Sequence, residues 1–189
     1  MAIRELLKIV QPPANPVEAK NGDAWKRAQK AIGTKLPNDF REIGLHYGSG
    51  RFGEISIVNP LSADFERTMT YLLETLREVK GSSIYRNYPY EVFPDQPGLL
   101  PCGSDQNGNT LHWLTEGEPD DWPVIIESHE GELERFDMSM TTFLAKAFTY
   151  EIQPKHIWYA GYEPFADLTF ISALPLKPKK VRKKRPKNK

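Results

Sequence analysis

Carboxylates crowd one stretch of this 189-residue chain: residues 95–137 hold eleven of them and a single cation, Arg135. Its middle runs Asp105-Gln-Asn107-Gly108-Asn109, then Leu111-His112-Trp113-Leu114, then Glu116-Gly-Glu118-Pro-Asp120-Asp121-Trp122-Pro123. Acids this dense suit three kinds of chemistry: cation ligation, acid/base pairing, or attraction of a basic partner. The spacing Asp105-x-Asn107-x-Asn109 with Glu116 in twelfth place resembles a calcium loop. Thr110, however, stands where such a loop turns on glycine, and the flanks read as strands. Acid/base work needs a pocket, and dense acids on turns are more often solvated surface. Attraction of a basic partner is what remains. The candidate contact residues are Asp105, Asn107, Glu116, Glu118, Asp120 and Asp121. Trp113 and Trp122 are candidate aromatic anchors, although a tryptophan alternating with strand neighbours more often packs inward.

Other constellations carry little. Gly48-Ser-Gly50-Arg-Phe-Gly53 has phosphate-cradling spacing, but its order is helix, glycines, strand, so no helix N-terminus faces the ligand. It reads as a helix end and a turn. His46, His112, His129 and His156 are scattered, and the lone Cys102 has no partner, so zinc spacing is missing. Cys102 could act as a nucleophile only if His112 reached it, and a small buried thiol is the simpler reading. The expectation is a protein with no catalytic residues, metal or cofactor.

The formal net charge of zero conceals an asymmetry. Nine Lys or Arg lie between Lys177 and Lys189; removing them leaves 16 cations against 25 carboxylates, a net of −9 for residues 1–176. The tail residues Lys179, Lys180, Arg182, Lys183, Lys184 and Arg185 are candidate contacts to nucleic acid, or a nuclear import signal. A tail that aids solubility or folds back on the acidic body accounts for them equally well. No apolar run approaches the roughly 18–20 residues that span a bilayer, and Met1–Val10 lacks a secretory leader's features. With one cysteine, a reducing cytoplasm is the expected location, and the protein is expected as a monomer or small oligomer.

The elements that must position these residues follow from periodicity. Ile3, Leu6, Leu7 and Val10 share a helical face stopped by Pro12-Pro13. Asp23 is placed to cap a helix carrying Trp25, Ala28 and Ile32, and Gly33 stops it. Leu36-Pro37-Asn-Asp-Phe40 starts another helix, which ends at Gly48. Phe52–Val58 reads as one strand, 63–80 as a longer helix, and 82–98 as a loop. Strands are expected near 99–103, 110–115, 123–128 and 132–136, with a helix from Ser139. The aromatic residues Trp158, Tyr159, Tyr162, Phe165 and Phe170 are expected to pack back on the body. That order predicts an α+β fold: one largely antiparallel sheet with helices packed around it. The expected organisation is residues 1–20 as helix and linker, 21–152 as the domain, 153–176 as an aromatic extension, and 177–189 as a basic disordered tail.

Several of these elements, taken in order, resemble the SUKH superfamily of Smi/Knr-like proteins. They are Trp25, Ile32-Gly33, Leu36-Pro37-Asn-Asp-Phe40, Tyr47-Gly48-Ser-Gly50, Leu99-Leu100-Pro-Cys-Gly103-Ser-Asp105-x-x-Gly108, Leu111-x-Trp113, Trp122-Pro123-Val124 and Ser139-Met-x-x-Phe143-Leu144. The resemblance covers about residues 20–150. It implies an α+β fold with one sheet and a partner-binding role. Many bacterial members are immunity proteins that neutralise a cognate secreted toxin, often a nuclease, while fungal relatives are regulatory interaction proteins. The leading expectation is a non-enzymatic immunity protein with an acidic surface. The alternative is a regulatory scaffold, with nucleic-acid contact through the tail.

Overall fold

Helix α1 (Ala2–Ile9) buries Leu6, and Val10 is buried just beyond its end. The computed structural model describes residues 2–19, 22–81, 89–157 and 168–174. In it α1 packs against α3 (Asn38–His46) and α5 (Met140–Phe148). The buried Tyr47 hydroxyl donates 2.7 Å to the Val10 carbonyl, fastening the end of α1 to the body. Through Leu6, α1 supplies part of the hydrophobic core.

Helix α2 (Ala24–Ile32) ends on Gly33, whose φ of 83° is the left-handed conformation that glycine accepts most cheaply. Asp23 precedes α2 but makes no side-chain cap. The single strand expected over Phe52–Val58 is instead a hairpin of β1 (Gly50–Phe52) and β2 (Ile55–Ile57). The alternation is real, with Phe52, Ile55 and Ile57 all buried, but Gly53 at φ 54° lets the chain reverse within it. Helix α4 (Phe65–Gly81) follows. Within the expected loop, β3 (Glu91–Val92) pairs parallel with β4 (Gly98–Ser104).

Strands β5 (Thr110–Leu114), β6 (Val124–Glu127) and β7 (Leu133–Phe136) then add on in antiparallel register. The last strand, β8 (Phe170–Ser172), pairs with β1. The sheet order is β7-β6-β5-β4-β2-β1-β8, with β3 beside β4. Thus the fold is α+β with one large, mainly antiparallel sheet. Part of the aromatic extension belongs to that sheet, and Phe170 packs on Tyr47 and Phe52 at centroid distances of 5.2 and 4.9 Å. Trp158, Tyr159, Tyr162, Phe165 and the basic tail lie outside the described residues.

Strand alternation divides the side chains between two faces. Leu111, Trp113, Val124 and Ile126 point one way and are buried. Trp113 meets Phe40 of α3 edge-on at 4.6 Å, and Phe136 meets Phe143 of α5 at 5.0 Å. Thr110, His112 and Glu127 take the opposite face and share a groove with α4. A buried carboxylate ties α3 to α5: Asp39 Oδ2 accepts from the Thr141 amide (2.9 Å) and hydroxyl (3.2 Å). Burial raises the pKa of Asp39, and the Thr141 bonds counter this only in part.

Candidate functional site

The carboxylates that crowd together in sequence separate in space. Because β5, β6 and β7 run antiparallel, the 115–123 loop and Asp137 fall at one end of the strands. The 105–109 turn and the 128–132 turn fall at the other, roughly 15 Å away for strands of this length. One acidic segment therefore yields two acidic groups.

At the far end, Asp105 serves its own turn. Its Oδ1 accepts from the Asn107 and Asn109 amides, both at 2.9 Å, and its Oδ2 accepts from Asn109 Nδ2 at 2.6 Å. The carboxylate is buried and its acceptors are used, so this candidate contact residue is a turn-former. Asn107 is exposed at the same end, apart from the other candidates. Lys155 lies over the neighbouring acids, donating from its amide to Glu134 Oε2 (3.0 Å) and from Nζ to Glu132 Oε2 (3.2 Å).

At the near end, the 115–123 loop is held by its own side chains. Asp120 Oδ1 accepts from the Asn38 amide at 2.6 Å and its Oδ2 from Asn38 Nδ2 at 2.7 Å. A carboxylate supplied from another part of the chain thus satisfies a free N–H at the start of α3 and complements its dipole. Asp120→Ala should cost about 1 kcal/mol of stability, measurable as a lower midpoint in urea unfolding. Arg135 gathers two more acids, donating to Asp137 (2.7 Å) and Glu116 (3.0 Å).

Glu118 precedes the short 3₁₀ turn Pro119–Asp121 and Asp121 ends it; both are exposed, and no ion pair holds either among the described residues. Both tryptophans are withdrawn from the surface. Trp113 is 1% exposed and Trp122 is 3% exposed. Strand alternation turns Trp113 toward α3, while Trp122 donates from its indole to the Gly117 carbonyl at 3.2 Å and closes the loop beneath itself. Neither can serve as an anchor for a partner. The exposed acids that remain at this end are Glu116 and Asp137, which pair with Arg135, together with Glu118 and Asp121 on the loop.

The opposite face of the sheet holds a feature missed in reading the sequence. A groove of about 450 Å³ lies between α4 and the sheet, walled by Leu72, Leu76 and Val79 and floored in part by Thr110, His112 and Glu127. His112 Nε2 sits 2.8 Å from Thr110 Oγ1 and 3.1 Å from Glu127 Oε2, with His112 and Glu127 nearly solvent-free. The available signal was a polar residue at an inward position of an apolar strand: His112 within Thr110–Leu114, and Glu127 ending Val124–Glu127. Cys102 takes no part in this trio. Burial, and next the charge of Asp39, push its thiol well above its ordinary range, the reverse of what a nucleophile needs.

Among the described residues, no three His, Cys, Asp or Glu side chains converge as a metal site. No described helix is long and apolar enough to cross a membrane. Comparison with curated proteins returned no match, and comparison with solved structures returned none. A family model does match: residues 21–146, from just before α2 into α5, fit the SMI1 / KNR4 family (SUKH-1), and the chain belongs to that family.

Proposed function

We propose that this protein is a non-enzymatic immunity protein that binds a cognate secreted toxin in the cytoplasm and neutralises it by occlusion. The toxin of this reading is a nuclease, whose active site must attract phosphates and is therefore basic. An acidic face covers such a site and speeds the encounter through long-range attraction. One observation carries the proposal. Glu118 and Asp121 stand exposed on a loop fixed from both sides, by Asp120 on α3 and by Trp122 on Gly117. A loop already held in place loses little conformational freedom on binding, which favours affinity. Membership in the SMI1 / KNR4 family, whose bacterial relatives include immunity proteins, supports the same reading.

The test is the double variant Glu118→Lys with Asp121→Lys, assayed against the product of the adjacent toxin gene. Asp120 is left intact because it caps α3, so that any change reports on the surface and not on the fold. The association rate at low salt should fall by about tenfold or more, with the melting temperature nearly unchanged. An association rate equal to wild type would refute the acidic-face mechanism.

A further inference from the structure

We propose that this protein pairs with a second copy of itself, the basic face of α2 in each copy docking on the 115–123 loop of the other. Helix α2 carries Lys26, Arg27 and Lys30 and no acid. Ala24 and Ala28 mark its buried side, so Lys26 and Lys30, four residues apart, lie together on the outward side. Lys35 follows just past the stop at Gly33. All three lysines are exposed, with no ion pair among the described residues. Like charges at the Lys26–Lys30 spacing repel, and α2 holds no carboxylate to offset them. An anionic partner would.

The chain itself supplies that partner. Residues 1–176 carry a net charge of −9, so a phosphate polymer meets long-range repulsion from the body. With the tail included the net charge is zero, and two copies meet without overall repulsion. Glu118 and Asp121 are exposed on a loop already fixed by Asp120 and Trp122, which makes them a ready counterpart for the lysines. The placement of the two patches suits a two-fold axis. Gln29 Oε1 accepts from the Leu36 amide at 3.3 Å, holding α2 to the segment that opens α3. Asp120 meets Asn38, two residues further on. Cationic and anionic surfaces therefore flank one helix start, and a two-fold interface sets each against its opposite twice. Solvent-exposed pairs are individually weak, and salt weakens them further. Pairing covers Glu118 and Asp121, so self-association and capture of another basic partner exclude each other.

Sedimentation equilibrium of the full chain tests this without any toxin, so its failure leaves the toxin reading standing. At ~20 mM salt and about 100 µM protein a substantial dimer fraction is expected, and at ~0.5 M salt a monomer. Lys26→Glu with Lys30→Glu should weaken pairing at least tenfold, and so should Glu118→Lys with Asp121→Lys. Mixing these two variants one to one should restore a dimer, because each reversed patch then meets its new opposite. Glu74→Lys with Glu78→Lys, exposed positions on α4, makes the same change in net charge as the loop variant. It should pair as wild type does and should not rescue the α2 variant. If reversal on α2 disturbs folding, Lys26→Gln with Lys30→Gln gives the same readout with a smaller change. A monomer at low salt, or a mixture that stays monomeric, would overturn the proposal. So would rescue by the α4 variant, or a dimer that survives reversal on α2, since the basic tail or another surface would then be the contact.

Discussion

Trp113→Ala is expected to destabilise the protein by about 3–5 kcal/mol, the range for removing a large buried aromatic from a core. Trp113 is 1% exposed on the central strand β5, flanked by β4 and β6, and its ring stands edge-on to Phe40 at 4.6 Å. Phe40 in turn meets Phe65 at 6.3 Å, so one indole joins the sheet to α3 and, through Phe40, to the start of α4. Truncation would open a cavity that residues on three elements cannot all move to fill. Trp113→Phe should cost much less, because a ring still faces Phe40. Denaturant unfolding followed by circular dichroism measures both. A cost near zero for Trp113→Ala would mean that the indole does not pack in the core as described. Any assay of the proposed partner binding with a Trp113 variant then has to be made at temperatures where the variant is folded, since lost affinity would otherwise report lost structure.

Gly48→Ala is expected to cost about 3 kcal/mol, although it adds one methyl group. Gly48 has φ 70°, and a Cβ built there would lie 2.2 Å from the Val17 carbonyl oxygen and 2.8 Å from the Val17 nitrogen. Those are backbone atoms that pair with this segment: Val17 bridges Gly48, and the Ser49 amide donates to the Val17 carbonyl at 2.9 Å. The side chain would therefore break the contact that fixes the N-terminal segment on the body. Gly33→Ala separates the two causes. Gly33 is also left-handed, at φ 83°, but nothing lies within 4 Å of its would-be Cβ, so conformational strain alone remains. It should cost about 1 kcal/mol. Equal thermal shifts for the two variants would show that the clash with Val17 is not the larger effect. The outcome also bears on the glycine-rich run at 48–53, whose first glycine sits where the Val17 backbone approaches too closely for a side chain.

Local rules account for much of this protein. The faces of α1, α2, α4 and α5, the stop at Gly33, the Asn-Gly turn after β4 and the antiparallel run β4–β7 could all be read from periodicity and turn chemistry. Ser139 was legible as the start of a helix, and in the structure its hydroxyl caps that helix by accepting from the Thr142 amide. Family membership was legible too, because its signals are core and turn residues kept in order. Contacts between residues distant in sequence were not legible. Nothing local says that Asp120 caps a helix 82 residues away, that Asp39 binds Thr141 across 102 residues, or that β8 pairs with β1. The eleven acids of residues 95–137 looked like one surface because sequence proximity was taken for spatial proximity. Antiparallel strands carry neighbouring loops to opposite ends of a sheet, and hydrogen bonding then assigns some acids to structure and leaves others free for a partner. Which carboxylates meet solvent, and that His112 and Glu127 share one groove, depends on pairing and packing between separate segments, and only the folded chain sets those.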